Sequence, residues 1–94
     1  MNEAPGAETF RPHIGEAITV AGEHQLTLVS LEERKMTHSE ATGAFTVILR
    51  GAPAPIVPEG VHRLTFKDGA GFDLYLMPIH TPSRQHQDYQ IAFN

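Results

Sequence analysis

Apolar and polar side chains alternate along much of the chain, and this alternation predicts β-strands. In the clearest segment, Phe45, Val47 and Leu49 share one face, and the residues between them share the other. Short strands separated by turn residues are typical of a small antiparallel barrel or sandwich. The pattern therefore predicts an all-β fold of about six strands: Ala17–Val20, Gln25–Glu32, Ala44–Arg50, Gly60–Phe66, Gly71–Met77 and Tyr89–Asn94.

The second predicted strand has an irregular pattern. Leu26 and Leu28 share one face, and then Val29 and Leu31 share the other. This change of face predicts either a β-bulge or a strand that is buried on both sides. The Ser-Leu-Glu-Glu sequence at positions 30–33 also matches a capping box, so a short helix over Ser30–Met36 is the alternative. We predict the strand, because the preceding Leu-Thr-Leu-Val run is β-like.

The N-terminal segment predicts a tail and one short helical turn. Residues 1–8 are small, polar and acidic and are expected to form a flexible tail, which leaves residues 9–94 as a single β domain. The turn covers Thr9–Gly15, where the threonine can cap it and the glycine suits its exit. Phe10 and Ile14 are four residues apart and would share a face. We expect this turn to plug one end of the core.

The connections between the predicted strands carry turn and loop signals. Asp68-Gly69 is typical of a tight hairpin, because glycine accepts the positive φ that such turns require. Residues 51–59 contain three prolines and predict an extended crossing without ladder donors at those positions. Residues 80–88 are polar and predict an exposed loop.

Composition narrows the range of partners. The net charge is -4, and the seven basic residues are scattered, whereas nucleic-acid binding needs a clustered basic surface. The chain has no cysteine, which excludes disulfides and thiolate chemistry. Its first residues lack the features of a signal peptide, and no run approaches the roughly 20 apolar residues of a membrane span. We expect a soluble cytoplasmic protein that binds neither nucleic acid nor membrane.

The sequence contains no recognisable catalytic or metal-binding motif. No serine lies in a G-x-S-x-G elbow, and no loop has the composition of a phosphate-binding loop, so we predict no enzyme and no cofactor. No H-x-H or H-E-x-x-H pair occurs, and we expect exposed, unpaired imidazoles. A small ligand- or metal-binding domain that uses loop histidines is the alternative. The six histidines are His13, His24, His38, His62, His80 and His86.

Three apolar residues stand on the faces of strands that should point away from the core. Tyr75 and Met77 alternate with the core positions of their strand, and Ile48 does so in another strand. Aromatic residues and methionine are enriched at contact surfaces. We predict that Ile48, Tyr75 and Met77 form an interface with another protein or a second copy of the chain, if their strands are neighbours. The alternative is that the N-terminal turn or the proline-rich crossing covers them.

Four segments resemble a family of small bacterial domains of unknown function. They are FRPHIG at 10–15, FTVILRG at 45–51, GFDLYLMP at 71–78 and the closing YQIAFN at 89–94, which matches the Tyr-x-x-x-Phe-Asn ending of the family. Ile18 stands where the family usually has an aromatic residue. The resemblance covers nearly the whole chain after the tail and implies a fold but no catalytic residues. It also implies an accessory or structural role in a phage-tail-like assembly.

Overall fold

The computed structural model describes residues 5–33 and 44–93. A short helix, α1 (Ala7–Phe10), continues into a 3-10 turn (Arg11–His13). Six strands follow in the described residues, and their bounds agree with the predicted ones to within two residues. They are β1 (Ala17–Val20), β2 (His24–Glu33), β3 (Phe45–Gly51), β4 (Gly60–Thr65), β5 (Gly71–Pro78) and β6 (Gln87–Phe93).

These strands form a closed antiparallel barrel in the order β1-β2-β3-β6-β5-β4. The predicted all-β class is confirmed, and of the two expected architectures the molecule adopts the barrel. Closure joins β4 to β1 through Thr65 opposite Thr19 and Leu64 opposite Val20. No helix in the described ranges is long and apolar enough to cross a membrane.

The barrel interior is filled by the apolar face of each strand, as the alternation predicts. In β3, Phe45, Val47 and Leu49 are buried, whereas the residues between them are not. Because a small barrel fills its interior with its own side chains, these residues form one continuous core. The largest fully buried side chains are Tyr89, Phe10, Phe45, Ile18, Leu28, Leu49, Leu64, Leu76, Ile91, Val20, Val47 and Val57.

The irregular pattern of β2 is a β-bulge. The register against β3 pairs Leu28 with Leu49 and then Ser30 with Ile48, so Val29 is the extra residue. This inserted residue changes which face the following side chains occupy. The prediction of a strand is confirmed as far as Glu33, and the alternative helix from Ser30 is wrong over that part. The rest of the alternative, up to Met36, lies outside the described residues.

The N-terminal turn closes one end of the barrel, as predicted. Phe10 is fully buried, and the centroid of its ring lies 6.0 Å from that of Phe45, 5.5 Å from Phe66 and 5.6 Å from Phe93. Aromatic rings at such distances and tilts pack favourably beyond the area they bury. Directly after this turn, the Gly15 N–H donates a hydrogen bond to the Leu28 carbonyl of β2 over 2.7 Å.

The predicted cap at Thr9 and the predicted position of Ile14 are wrong. The helix begins at Ala7, with Gly6 as the capping residue, so Thr9 lies inside the helix and does not cap it. Ala7 is buried, which extends ordered structure into the segment expected to be a tail. Ile14 adopts an extended backbone after the 3-10 turn and is 46 % exposed, so it does not share the buried face of Phe10.

Two connections have the expected form and position the surface described below. The turn from β4 to β5 has a positive φ of 95° at Gly69, and the Gly69 N–H donates to the Phe66 carbonyl over 3.0 Å. The proline-rich residues 52–59 cross the barrel without joining the sheet. Val57 in this crossing is buried, and its N–H donates to the Tyr89 hydroxyl over 3.0 Å.

Candidate contact surface on β4 and β5

The most exposed large apolar side chains on the strands are neighbours on the outside of the barrel. Val61 of β4 lies directly opposite Tyr75 of β5 in the strand register. Val61 is 66 % exposed and Tyr75 is 51 % exposed. Met77, two residues along β5, follows on the same face and is half-buried. We call Val61, Tyr75 and Met77 the outer patch.

Backbone geometry brings the first two side chains of the outer patch close together. Hydrogen-bonded and non-hydrogen-bonded pairs alternate along an antiparallel hairpin. The Phe66 N–H donates to the Ala70 carbonyl over 2.8 Å, so counting back in steps of two makes Val61 and Tyr75 a non-hydrogen-bonded pair. Side chains approach each other more closely in such pairs than in hydrogen-bonded ones. The valine and the tyrosine therefore form one apolar surface.

A carboxylate holds the tyrosine in this position. The Tyr75 hydroxyl donates a hydrogen bond to the Glu59 carboxylate, which lies at the end of the proline-rich crossing. This hydrogen bond is the main reason that the pKa of the Tyr75 phenol is raised above its ordinary value of 10.0, and the nearby negative charge acts in the same direction. The ring is thus anchored at its polar end, while its apolar face stays open to solvent.

An ion pair borders the outer patch. Arg63 lies opposite Asp73 in the register, one step along the same outer face from Val61 and Tyr75. The Arg63 Nη1 atom lies 3.2 Å from the Asp73 Oδ1 atom. Contact surfaces in proteins commonly combine an apolar centre with a polar, solvated rim. The arrangement of the outer patch and this ion pair has that character.

The third residue of the predicted interface is separated from the other two. The prediction required the strand of Ile48 to neighbour the strand of Tyr75, but β6 lies between β3 and β5. Gln90 of β6 stands opposite both Ile48 and Met77, so a polar side chain divides them. Ile48 is also half-buried. The structure therefore places Tyr75 and Met77 on one surface and Ile48 beyond it.

Sequence reasoning missed the most exposed member of the outer patch. Val61 shares a strand face with Arg63, so its own strand gives no sign of an apolar surface. The signal lies in the Asp68-Gly69 turn, because a hairpin turn fixes which residues of the two strands face each other. Counting outward from that turn would have placed Val61 opposite Tyr75.

Two of the histidines do not have the expected surroundings. The Nδ1 atom of His13 lies 2.8 Å from Glu16 Oε1, and its ring is stacked on Phe66 at 4.4 Å, so the prediction of an unpaired, exposed imidazole is wrong for this residue. His62 is also bonded, through its Nε2 atom, to the Pro58 carbonyl at 2.6 Å. Across residues 5–33 and 44–93, no group of three or more His, Cys, Asp or Glu side chains is arranged to hold a metal ion. His38 lies outside these ranges.

A separate polar cluster fixes the connection between β5 and β6. Arg50 donates to both carboxylate oxygens of Asp88, over 2.8 Å and 3.2 Å. These bonds lower the pKa of the Asp88 carboxyl below its ordinary value of 3.8, although partial burial opposes the shift. The Asp88 N–H in turn donates to the Thr81 hydroxyl over 3.0 Å. These hydrogen bonds join separate parts of the fold, so we assign the cluster a structural role.

The fold and the outer patch can be set against known proteins. No curated protein and no solved structure matches the chain. The sequence pattern of one family, DUF6916, described as a domain of unknown function, matches residues 5–93. This match confirms the expected resemblance to a family of unknown function. Because it covers nearly the whole chain, the protein belongs to the DUF6916 family.

Proposed function

We propose that this domain is a non-enzymatic protein-interaction or structural accessory module. It contacts another protein, or a second copy of itself, through the outer patch. The proposal extends to a bacterial cytoplasmic protein that is incorporated into a phage-tail-like assembly. That last part is supported by the sequence resemblance alone, whereas the contact surface is supported by geometry.

The observation that carries the proposal is the exposed pair formed by Val61 and Tyr75. Two large apolar side chains, 66 % and 51 % exposed, lie opposite each other on adjacent strands. Scattered single apolar residues are normal on a protein surface, but neighbouring ones form a patch that commonly marks a contact site. Tyrosine is enriched at the energetically important centres of such sites.

The bond to Glu59 adds a second argument. A tyrosine that is held by its hydroxyl loses little conformational freedom when a partner packs against its ring, and ordering side chains is one of the costs of association. The Glu59 carboxylate keeps the Tyr75 ring against the outside of β5 in the free protein. The surface is therefore arranged before a partner arrives.

The test is to purify the tagged chain from its native cells as wild type and as the double variant Val61→Ser, Tyr75→Ser. A matched control carries Gln25→Ser and Thr27→Ser, two exposed positions on β2. The double variant should lose the partner, or its self-association in sedimentation, by at least about tenfold. Its free energy of unfolding should fall by less than about 1 kcal/mol, because a cross-strand pair contributes roughly 0.2–1 kcal/mol. The control should behave as the wild type does.

Two outcomes would contradict the proposal. Identical co-purifying proteins and identical sedimentation for all three chains would show that the outer patch contacts nothing. Equal loss of association in the double variant and in the control would show that contact does not depend on this surface.

A further inference from the structure

The barrel closes unevenly, and one of its two shortest joins in the described residues lies beside the outer patch. Strands β5 and β6 are paired only at Met77 with Gln90 and at Pro78 with Tyr89. Beyond this point β5 continues to Gly71, paired on its other side with β4, and β6 continues to Phe93, paired on its other side with β3. Within the described residues, the two strands therefore run on without pairing to each other. We call this stretch the β5–β6 seam.

The phase of the hairpin shows which backbone groups face the seam. Because the Phe66 N–H bonds to the Ala70 carbonyl, the even-numbered residues of β5, such as Leu74, direct their N–H and C=O groups toward β4. The odd-numbered residues Asp73 and Tyr75 direct theirs toward β6. The bond from the Ile79 N–H to the Asp88 carbonyl, 3.1 Å long, agrees with this assignment, because Ile79 is also odd-numbered and its N–H points toward the β6 side.

The register also shows what Tyr75 lacks. Met77 lies opposite Gln90, and two residues further along each strand the same register would place Tyr75 opposite Ala92. The pairing between β5 and β6 ends before that position. In the part of the chain that is described, the Tyr75 backbone thus has no strand partner on the seam side. Unpaired strand edges are templates for the addition of another strand.

The side chains along the seam are apolar toward the interior. Leu74 is 9 % exposed, and Phe72 and Phe93 are partly buried against the core. Toward the outside stand Tyr75 and Ala92, which are both exposed. A strand laid along β5 would therefore meet apolar side chains at every second position, which is how added strands obtain specificity.

We propose that the β5–β6 seam takes up an extended peptide segment of the partner, which adds as a strand to β5 at Asp73 and Tyr75. This inference rests on the proposed function, because it names the partner of the same surface. Free N–H and C=O groups spaced along a strand are matched by another extended backbone. The net charge of -4 and the exposed Glu59 carboxylate favour a peptide with basic residues at its polar positions.

The direct test follows backbone amides by hydrogen exchange in nuclear magnetic resonance. The probe is a synthetic peptide of sequence Lys-Val-Thr-Val-Thr-Val-Lys. Two control peptides have the same sequence, and each carries N-methyl groups on the alternate backbone nitrogens of one edge, so that each control blocks one of the two hydrogen-bonding edges. In the free protein, the Tyr75 amide should exchange at least about tenfold faster than that of Leu74, which faces β4. The unmodified peptide should slow exchange at Asp73 and Tyr75, and one methylated peptide should not. A Tyr75 amide already protected in the free protein, or unprotected with saturating peptide, overturns the inference.

A matched pair of variants gives a second measurement. Asp73→Pro removes an N–H that faces the seam and keeps the hydrogen bonds to β4, since proline is tolerated where a strand N–H has no ladder partner. Asp73→Ala removes the same carboxylate and its ion pair but keeps the N–H. Peptide affinity should fall at least about tenfold in the proline variant and less than about twofold in the alanine variant. Equal affinities in the two variants contradict strand addition, and if the proline variant does not fold, the exchange experiment decides.

The two proposals fail in different ways. A native partner that requires Val61 and Tyr75 but leaves the Tyr75 amide unprotected supports the contact surface and overturns strand addition. A native partner that binds the double serine variant as tightly as the wild type overturns the proposed function itself.

Discussion

The two tyrosines of the chain lie on neighbouring strands and have opposite surroundings. Tyr89 of β6 points into the barrel, is 1 % exposed, and accepts a hydrogen bond from the Val57 N–H. Tyr75 of β5 points outward, is 51 % exposed, and donates to the Glu59 carboxylate. A buried hydroxyl must find a partner to avoid a large desolvation cost, whereas an exposed hydroxyl can bond to water. Only the first bond is required by the fold.

Both partners come from one connection. Val57 and Glu59 are two residues apart in the proline-rich crossing, and one reaches the interior while the other reaches the outside. The crossing thus completes the core on one side and fixes the Tyr75 ring on the other. The difference between the two tyrosines teaches that a hydrogen bond in the core contributes stability, whereas a similar bond at the surface fixes the position of an exposed side chain.

The largest expected effect on the free energy of unfolding comes from Phe10, the buried ring that closes one end of the barrel. Phe10→Ala should lower the free energy of unfolding by about 3–5 kcal/mol, because it removes a fully buried ring from a packed aromatic cluster. Urea denaturation followed by circular dichroism measures this loss. The matched control is Ile14→Ala, four residues further along and 46 % exposed, which should cost less than about 1 kcal/mol. Equal losses in the two variants would contradict the closure of the barrel by Phe10.

The tyrosine comparison itself predicts a smaller difference. Tyr89→Phe should cost about 1–3 kcal/mol, because it leaves the buried Val57 N–H without an acceptor. Tyr75→Phe should change the free energy of unfolding by less than about 0.5 kcal/mol, since exposed positions have small effects. The same urea experiment tests both variants. If Tyr75→Phe were the more costly change, the assignment of the two rings to interior and surface would be wrong.

The smallest effect concerns alkaline pH. The raised pKa of Tyr75 means that the folded protein keeps this proton more tightly than the unfolded chain does. The stabilising contribution is therefore complete below the ordinary pKa of 10.0 and is lost as pH rises through the folded-state value. Ring resonances of isotopically labelled tyrosine should show Tyr75 titrating above its ordinary pKa in the wild type. Glu59→Gln should bring that titration closer to the ordinary pKa, and an unchanged titration would show that the bond to Glu59 does not form.

The sequence predicts the face of a strand on which a side chain lies, because the alternation of apolar and polar residues is a property of a single strand. Alternation correctly placed Phe45 and Leu49 inside and Tyr75 outside, and it located the irregularity in β2 for which a bulge was one of two explanations, because these are properties of one strand at a time. The helical spacing from Phe10 gave the wrong face for Ile14, because the backbone is already extended at that residue.

Strand order could not be predicted in the same way. Alternation tells which face a residue occupies but not which strand lies beside it, so nothing in the pattern revealed that Gln90 separates Ile48 from Met77. The Val61 and Tyr75 pair was within reach, because the Asp68-Gly69 turn sets the register of its hairpin. The incomplete pairing at the β5–β6 seam was not, because the long loop of residues 79–86 that joins these strands does not fix their register as a tight turn does.

The central claim is that the outer patch on β4 and β5 meets a partner, and site-specific photo-crosslinking tests it most directly. Val61→p-benzoylphenylalanine places a crosslinker in the patch, and Thr27→p-benzoylphenylalanine places one at an exposed position on β2 as the control. After irradiation in native cells, the chain with the crosslinker at position 61 should give one discrete adduct, either with another protein or at the mass of two chains. The control should give none. An adduct only from position 27, or the same adducts from both positions, would contradict the account.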